Sequence, residues 1–169
     1  FKGQLWELFL LSSFDRQQPP KKVLLLGLGG GAVVKLLQRF FPSTEIDAIE
    51  LDKHHISVAK RFFSVDKGLC NIVHAEAGEW LRQNRSGRYD LIIDDVFHEQ
   101  NGEPFRAISY QQAHLRRLLG KLTKDGVLVV NFADAKEWQE ARSAFRQLPM
   151  AADFNIGLAV QGQYQNRIA

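Results

Sequence analysis

The sequence has a single cysteine, Cys70, and a single methionine among its 169 residues. One thiol excludes an internal disulfide framework and a cysteine-built metal cluster, and Cys70 reads as a small buried residue beginning a strand. Long apolar runs are also missing. None approaches the ~20 residues of a membrane span, and no signal-peptide pattern is visible. Charge of one sign is scarce in excess: 22 Lys and Arg against 19 Asp and Glu leave a net +3. The basic residues are scattered among acids, which describes a solvated surface rather than a nucleic-acid footprint. The expectation is a cytoplasmic protein with neither a membrane nor a nucleic-acid partner. What is present is apolar mass, 45% of residues with 12 Phe and 3 Trp, enough for one sizeable packed core.

The chain is organised around Lys22-Val-Leu-Leu-Leu-Gly-Leu-Gly-Gly-Gly-Ala32. Val23 to Leu26 have the length and character of a buried parallel strand. Gly27, Gly29, Gly30 and Gly31 follow, where a chain turns sharply and lets a ligand approach its backbone. Val33, Leu36, Leu37, Phe40 and Phe41 then recur at helical spacing. Strand, glycine turn and helix together open a doubly wound nucleotide-binding sheet, and Glu50 stands about 20 residues on, where an acid holds ribose hydroxyls.

In chain order, Phe1 to Phe14 is expected as a helix packing on the sheet edge or on a partner, ended by Pro19 and Pro20. Residues 1–20 thus form an amino-terminal helix and linker, and 21–169 the nucleoside-binding domain. Glu45 to Leu51 is the second strand. Asp52 caps a helix from Lys53 to Phe63 whose Ile56, Ala59 and Phe63 face inward. Asn71 to Ala75 is a third strand, Gly78 to Gln83 a short helix, and Tyr89 to Asp95 a fourth strand ending in acids. Val96 to Ile108 reads as a long loop. Ser109 and Gln112 are expected to form a capping box for a helix ending at Gly120. Gly126 to Phe132 is the fifth strand, and Asp134 with Glu137 caps a helix over Lys136 to Gln147. Phe154 to Val160 and Tyr164 to Ala169 complete the expectation as an antiparallel hairpin turning at Gln161-Gly162. The fold class is therefore α/β, a doubly wound, mostly parallel, seven-stranded Rossmann-like sheet whose last hairpin is antiparallel.

Ligands of open parallel sheets bind past the carboxyl ends of the strands. There the sequence places the glycine turn, Glu50, Glu76, Asp94 and Asp95. Glu50 is expected to accept from ribose hydroxyls, and Glu76 from an adenine amino group. No lysine of the GxxxxGK type follows the glycines, and the closing hairpin argues against a nicotinamide dinucleotide. Adjacent Asp94 and Asp95 point to opposite faces of a strand, so one of them enters the site. His54, His55, His74 and His114 lack ligand spacing, and no metal is assigned.

The ensemble of VLLLGLGGGAVVKLL, IDAIELDKHHISVAKRFF, NIVHAEAGEWL, YDLIIDDVF and LTKDGVLVVNF resembles the spermidine synthase family, the polyamine aminopropyltransferases of the class I methyltransferase fold. The likeness covers about Lys22 to Phe132. It implies a donor, decarboxylated S-adenosylmethionine or S-adenosylmethionine itself, held by Gly27, Gly29, Gly31 and Glu50, with Glu76 meeting the adenine. It implies Asp95 as the base for an attacking small-molecule amine, with Asp94 and His98 near the substrate, and it allows a homodimer. Departures accompany the likeness. The Asp of the family's G-G-G-D-G turn is Gly30 here, and the second Asp and the Pro of its D-S-S-D-P run are His98 and Glu99. His98 stands open between a neutral amine acceptor, a base of another reaction and an exposed loop residue. A methyltransferase and a non-catalytic nucleoside-binding module are the rival readings.

Overall fold

The computed structural model describes residues 5–14, 18–65, 68, 70–84, 87–100, 103–106, 108–151, 154–157, 159–160 and 167–168. Two short helical turns, α1 (Leu5–Leu8) and α2 (Leu11–Phe14), precede β1 (Lys22–Leu26). Then come α3 (Ala32–Phe40), β2 (Glu45–Glu50), α4 (Lys53–Phe62), β3 (Asn71–His74), α5 (Ala77–Gln83) and β4 (Tyr89–Asp94). The antiparallel pair β5 (His98–Gln100) and β6 (Glu103–Phe105) leads to α6 (Gln112–Leu119), β7 (Leu122–Phe132) and α7 (Ala135–Arg146). The sheet places five parallel strands in the order β3-β2-β1-β4-β7. The two-residue segments β8 (Ala159–Val160) and β9 (Arg167–Ile168) lie antiparallel beyond β7. The turn expected at Gln161-Gly162 falls outside the described residues.

Both faces of the sheet are covered, which is why its strands read as unbroken apolar runs. Val23 and Leu25 of β1 bury into one layer with Val34 and Leu37 of α3, whereas Leu24 and Leu26 bury into the other with Leu115 and Leu118 of α6. Phe9 and Leu10 belong to the first layer. The chain order reverses between β1 and β4, and their registered ends, Leu26 opposite Asp94, open the crevice where such folds bind ligands.

Several local expectations need correction. The amino-terminal helix is two short pieces, because Phe9 and Leu10 both turn into the core between them. Val96 to Ile108 is not all loop, since β5 and β6 pair within it. The capping box at Ser109 does not form: α6 starts at Gln112, whose side-chain amide donates instead to Gln147 Oε1 at 3.0 Å. The fifth strand begins earlier, at Leu122, where a register irregularity against β4 accommodates the extra residues. Phe63 lies just past α4 and is 47% exposed rather than inward-facing. The caps at Asp52 and Asp134 form as the sequence pattern implies, accepting from His54 N at 2.7 Å and Glu137 N at 2.8 Å.

Candidate active site

The site begins with backbone. Beyond the end of β1, Gly27 N donates to Ile49 O at 2.9 Å, and Asp95 N donates to Leu26 O at 2.9 Å. These bonds extend the ladder one step past each strand and bring the glycine turn, Glu50 and Asp95 to a common edge. Gly27 has φ of +87°, and a Cβ there would lie 2.3 Å from Asp95 O. Only glycine fits a backbone that turns left-handed against a neighbouring strand. Gly31 has φ of +84° and a Cβ at that position would meet Val65 Cγ2 at 2.4 Å, whereas Gly29 faces open space.

Glu50 is fixed by this turn. Its Oε2 accepts from Leu28 N at 2.8 Å and Gly29 N at 3.1 Å, and its Oε1 from Asp52 N at 2.8 Å. His55 Nδ1 stands 3.8 Å from Oε1. A carboxylate held by three backbone donors is rigid, and Oε1, with one backbone donor against two on Oε2, keeps acceptor capacity for a hydroxyl. Glu76 caps α5, its two oxygens taking Gly78 N at 2.7 Å and Glu79 N at 2.6 Å. It lines the same cavity as Glu50, so any contact with a base amino group uses its remaining lone pairs.

That cavity measures about 540 Å³ and is walled by Gly27, Gly29, Gly30, Glu50, Glu76, Asp95 and His98. Trp6, Phe63 and Phe97 supply aromatic faces. Gly30 lies under the Phe63 ring, 3.4 Å from where its Cβ would stand. No sequence pattern marks Trp6 or Phe63 as cavity residues, because their place depends on how the amino-terminal turns and the end of α4 fold over the sheet.

The two aspartates part as the strand alternation requires. Asp95 faces the cavity, and its Oδ1 accepts from Asn131 Nδ2 at 2.8 Å. Burial pushes its carboxyl up to about 6, against the lowering effects of the Asn131 bond and of Arg106. Asp94 points the other way and is 1% exposed. Its Oδ1 is 3.1 Å from Arg106 Nη1 and its Oδ2 is 3.4 Å from His114 Nε2. Burial favours its neutral form, yet the His114 bond and the Arg106 charge together hold its carboxyl below the usual range. The substrate contact assigned to Asp94 is therefore corrected, since its carboxylate is committed behind the cavity wall. Asn131 sits at the carboxyl end of β7, a position that the strand-end rule marks once that strand is recognised. Arg106 and Tyr110 come from a loop and carry no such signal.

The profile of the spermine/spermidine synthase domain matches residues 11–148. The chain belongs to that family. This spermine/spermidine synthase-family chain is 28% identical over 133 residues to a polyamine aminopropyltransferase of Vibrio vulnificus, covering 76% of the chain and 44% of that protein. It is also 28% identical over 124 residues to the eEF1A lysine and N-terminal methyltransferase of Mus musculus, covering 68% of the chain and 17% of that protein. The chain thus spans less than half the length of these curated relatives. Human methyltransferase-like protein 13, solved in complex with SAH, superposes with a TM-score of 0.75 at 22% identity, over 98% of this chain and 74% of that one. At that identity the likeness speaks to the fold, which is the α/β class I methyltransferase type with its five-stranded parallel sheet. Among the described residues, no helix is long and apolar enough to cross a membrane.

Proposed function

We propose that this chain transfers an aminopropyl group from decarboxylated S-adenosylmethionine to a small-molecule amine, with Asp95 as the base. The observation that carries this reading is the cavity itself: Asp95 and the Glu50-braced glycine turn wall the same space. The cradle fits a sulfonium nucleoside. Gly29 leaves open room, Glu50 offers acceptor capacity to a ribose hydroxyl, and Glu76 offers it to the adenine amino group. The aromatic faces of Trp6, Phe63 and Phe97 suit a planar base and a cationic sulfur. Gly27, Gly29 and Gly31 shape the donor side, and His98 lines the acceptor side. A seven-stranded sheet, completed by a hairpin that includes β8 and β9, belongs to this reading, as does a homodimer.

The chemistry asks little of the protein beyond placement and a base. The amine nitrogen attacks the propyl carbon bonded to sulfur. The new C–N bond forms as the C–S bond breaks, and its electron pair stays on sulfur to leave methylthioadenosine. The amine's surplus proton passes to Asp95. The second oxygen of Asp95 has no partner among the described residues, so it is available to hold the amine. A carboxyl near 6 is ionised at neutral pH yet more basic than an exposed aspartate.

A second reading, methyl transfer from intact S-adenosylmethionine, is favoured by one specific feature. Residue 30 is a glycine covered by the Phe63 ring, so the turn presents no carboxylate to the decarboxylated donor's ammonium, whereas intact S-adenosylmethionine carries a carboxylate of its own beside that group. Calorimetry with the two donors, followed by identification of the thioether product, separates the readings. Methylthioadenosine supports aminopropyl transfer, and S-adenosylhomocysteine supports methyl transfer. Binding of neither donor overturns both.

A further inference from the structure

His55 stands beside the glutamate at the end of β2. It is the third residue of α4, and the short connection from the strand folds it back toward the end of β2. Asp52 N donates to Glu50 Oε1 at 2.8 Å, and Asp52 then caps the helix by accepting from His54 N at 2.7 Å. The His55 side chain is half-exposed and lines the main cavity together with Glu50 and Leu51. Its Nδ1 lies 3.8 Å from Glu50 Oε1, beyond hydrogen-bond reach. Imidazole and carboxylate are therefore neighbours that do not satisfy each other.

Glu50 has too little left to hold a ribose alone. A carboxylate offers about four acceptor sites, and here Oε2 spends two on Leu28 N and Gly29 N while Oε1 spends one on Asp52 N. One site remains, on Oε1, and a ribose presents two adjacent hydroxyls. The second hydroxyl needs a polar atom on the same side of the sugar, a short step from Oε1. A neutral imidazole nitrogen either donates or accepts according to its tautomer. The gap between Nδ1 and Oε1 is one that two vicinal oxygens span, each meeting its own partner.

We infer that His55 is the second half of a sugar clamp: its ring takes one ribose hydroxyl of the donor while Glu50 Oε1 takes the other, so the site selects nucleosides with an intact vicinal diol. The inference rests on the nucleoside-donor reading above and holds whether an aminopropyl or a methyl group is transferred.

The test is a double-mutant cycle between residue and ligand, read by titration calorimetry. It sets 5′-methylthioadenosine and its 2′-deoxy and 3′-deoxy analogues against the wild type and His55→Phe, which keeps a ring but loses its nitrogens. His55→Phe is expected to bind methylthioadenosine roughly three- to tenfold more weakly, the worth of one hydrogen bond. With one of the two deoxy analogues, wild type and His55→Phe are expected to bind alike, because the hydroxyl that His55 serves is already gone. With the other analogue the full loss persists, because that missing hydroxyl is the one Glu50 serves. His55→Gln, which returns a polar group of similar reach, is expected to lose less than His55→Phe. The unliganded variants should melt with the wild type, since the half-exposed ring belongs to neither core layer. The same loss in His55→Phe with all three nucleosides, or no loss with any, overturns the inference and leaves the donor reading standing. If neither methylthioadenosine nor S-adenosylhomocysteine binds the wild type, the donor reading falls and the clamp falls with it.

Discussion

Asp95 is under two opposing demands, burial at the cavity wall and the ionisation that the proposed proton transfer requires. Its carboxyl titrates at about 6 in the folded chain against an ordinary 3.8. Between those values the folded protein holds a proton that the unfolded chain has released. The stability this proton confers is therefore full below about 4 and is lost as pH rises through about 6. Asp94 works with the opposite sign: its lowered carboxyl contributes stability above the ordinary range, lost as pH falls through its folded value. Asp95→Asn removes the unfavourable charge. Its melting temperature relative to wild type is expected to climb from pH 4 to pH 7, while transfer falls by at least a hundredfold. Wild-type turnover should rise with pH through about 6. A pH-independent melting difference, measured by calorimetry, would contradict the assignment. Glu50 makes a separate case. Glu50→Ala leaves Leu28 N, Gly29 N and Asp52 N without their acceptor, so donor affinity by titration calorimetry is expected to fall tenfold or more. These two acids are legible in the sequence because each stands at the carboxyl end of a buried strand, Glu50 as its last residue and Asp95 one past it. Arg106 is not, since a cation in a loop carries no periodicity, and its carboxylate partners Asp94 and Glu137 come from β4 and α7.

At the level of elements, the turn between β1 and α3 couples two functions through one atom position. A side chain at Gly27 has to displace the backbone of Asp95, and its positive φ adds strain whatever the space. Gly27→Ala is expected to destabilise the fold by about 2 kcal/mol or more. It should also weaken catalysis beyond its effect on donor binding, because the carbonyl it strikes belongs to the proposed base. Gly29→Ala, where no atom lies within 4 Å, is expected to disturb stability less and donor affinity alone. A kcat/KM comparison alongside chemical denaturation distinguishes the two variants. The strand-turn-helix pattern is readable because glycine spacing and apolar runs act locally. The Ser109 box fails for the opposite reason. Gln112 is the first residue of α6 and its amide has a tertiary partner in Gln147 just past α7, so it is neither placed nor free to reach back to Ser109. The β5–β6 pair leaves no trace in the sequence because its three-residue strands are too short to show alternation.

Taken whole, the molecule places its amino-terminal turns in the same core as the sheet, although the break at Pro19 and Pro20 reads as a boundary. Phe9 is fully buried in the layer that holds Val34 and Leu37 of α3. Three residues earlier, Trp6 forms part of the cavity wall. If the cavity holds the proposed donor, stability and donor binding are linked through one short segment. Phe9→Ala leaves a void in a sheet-covering layer and is expected to cost about 3–5 kcal/mol. For a chain of this size that lowers the melting temperature by about 6–20 °C. Leu11→Ser, at a position 45% exposed, is expected to change it by less than about 2 °C. Trp6→Ala should leave the melting temperature nearly unchanged, since that ring is 41% exposed, while donor affinity falls several-fold through loss of an aromatic wall. If Phe9→Ala melts with the wild type and Trp6→Ala binds donor as tightly, the segment is an appendage and the cavity is closed by the glycine turn and Phe63 alone. A loss in both, each in its own readout, makes residues 5–14 a structural part of the donor site.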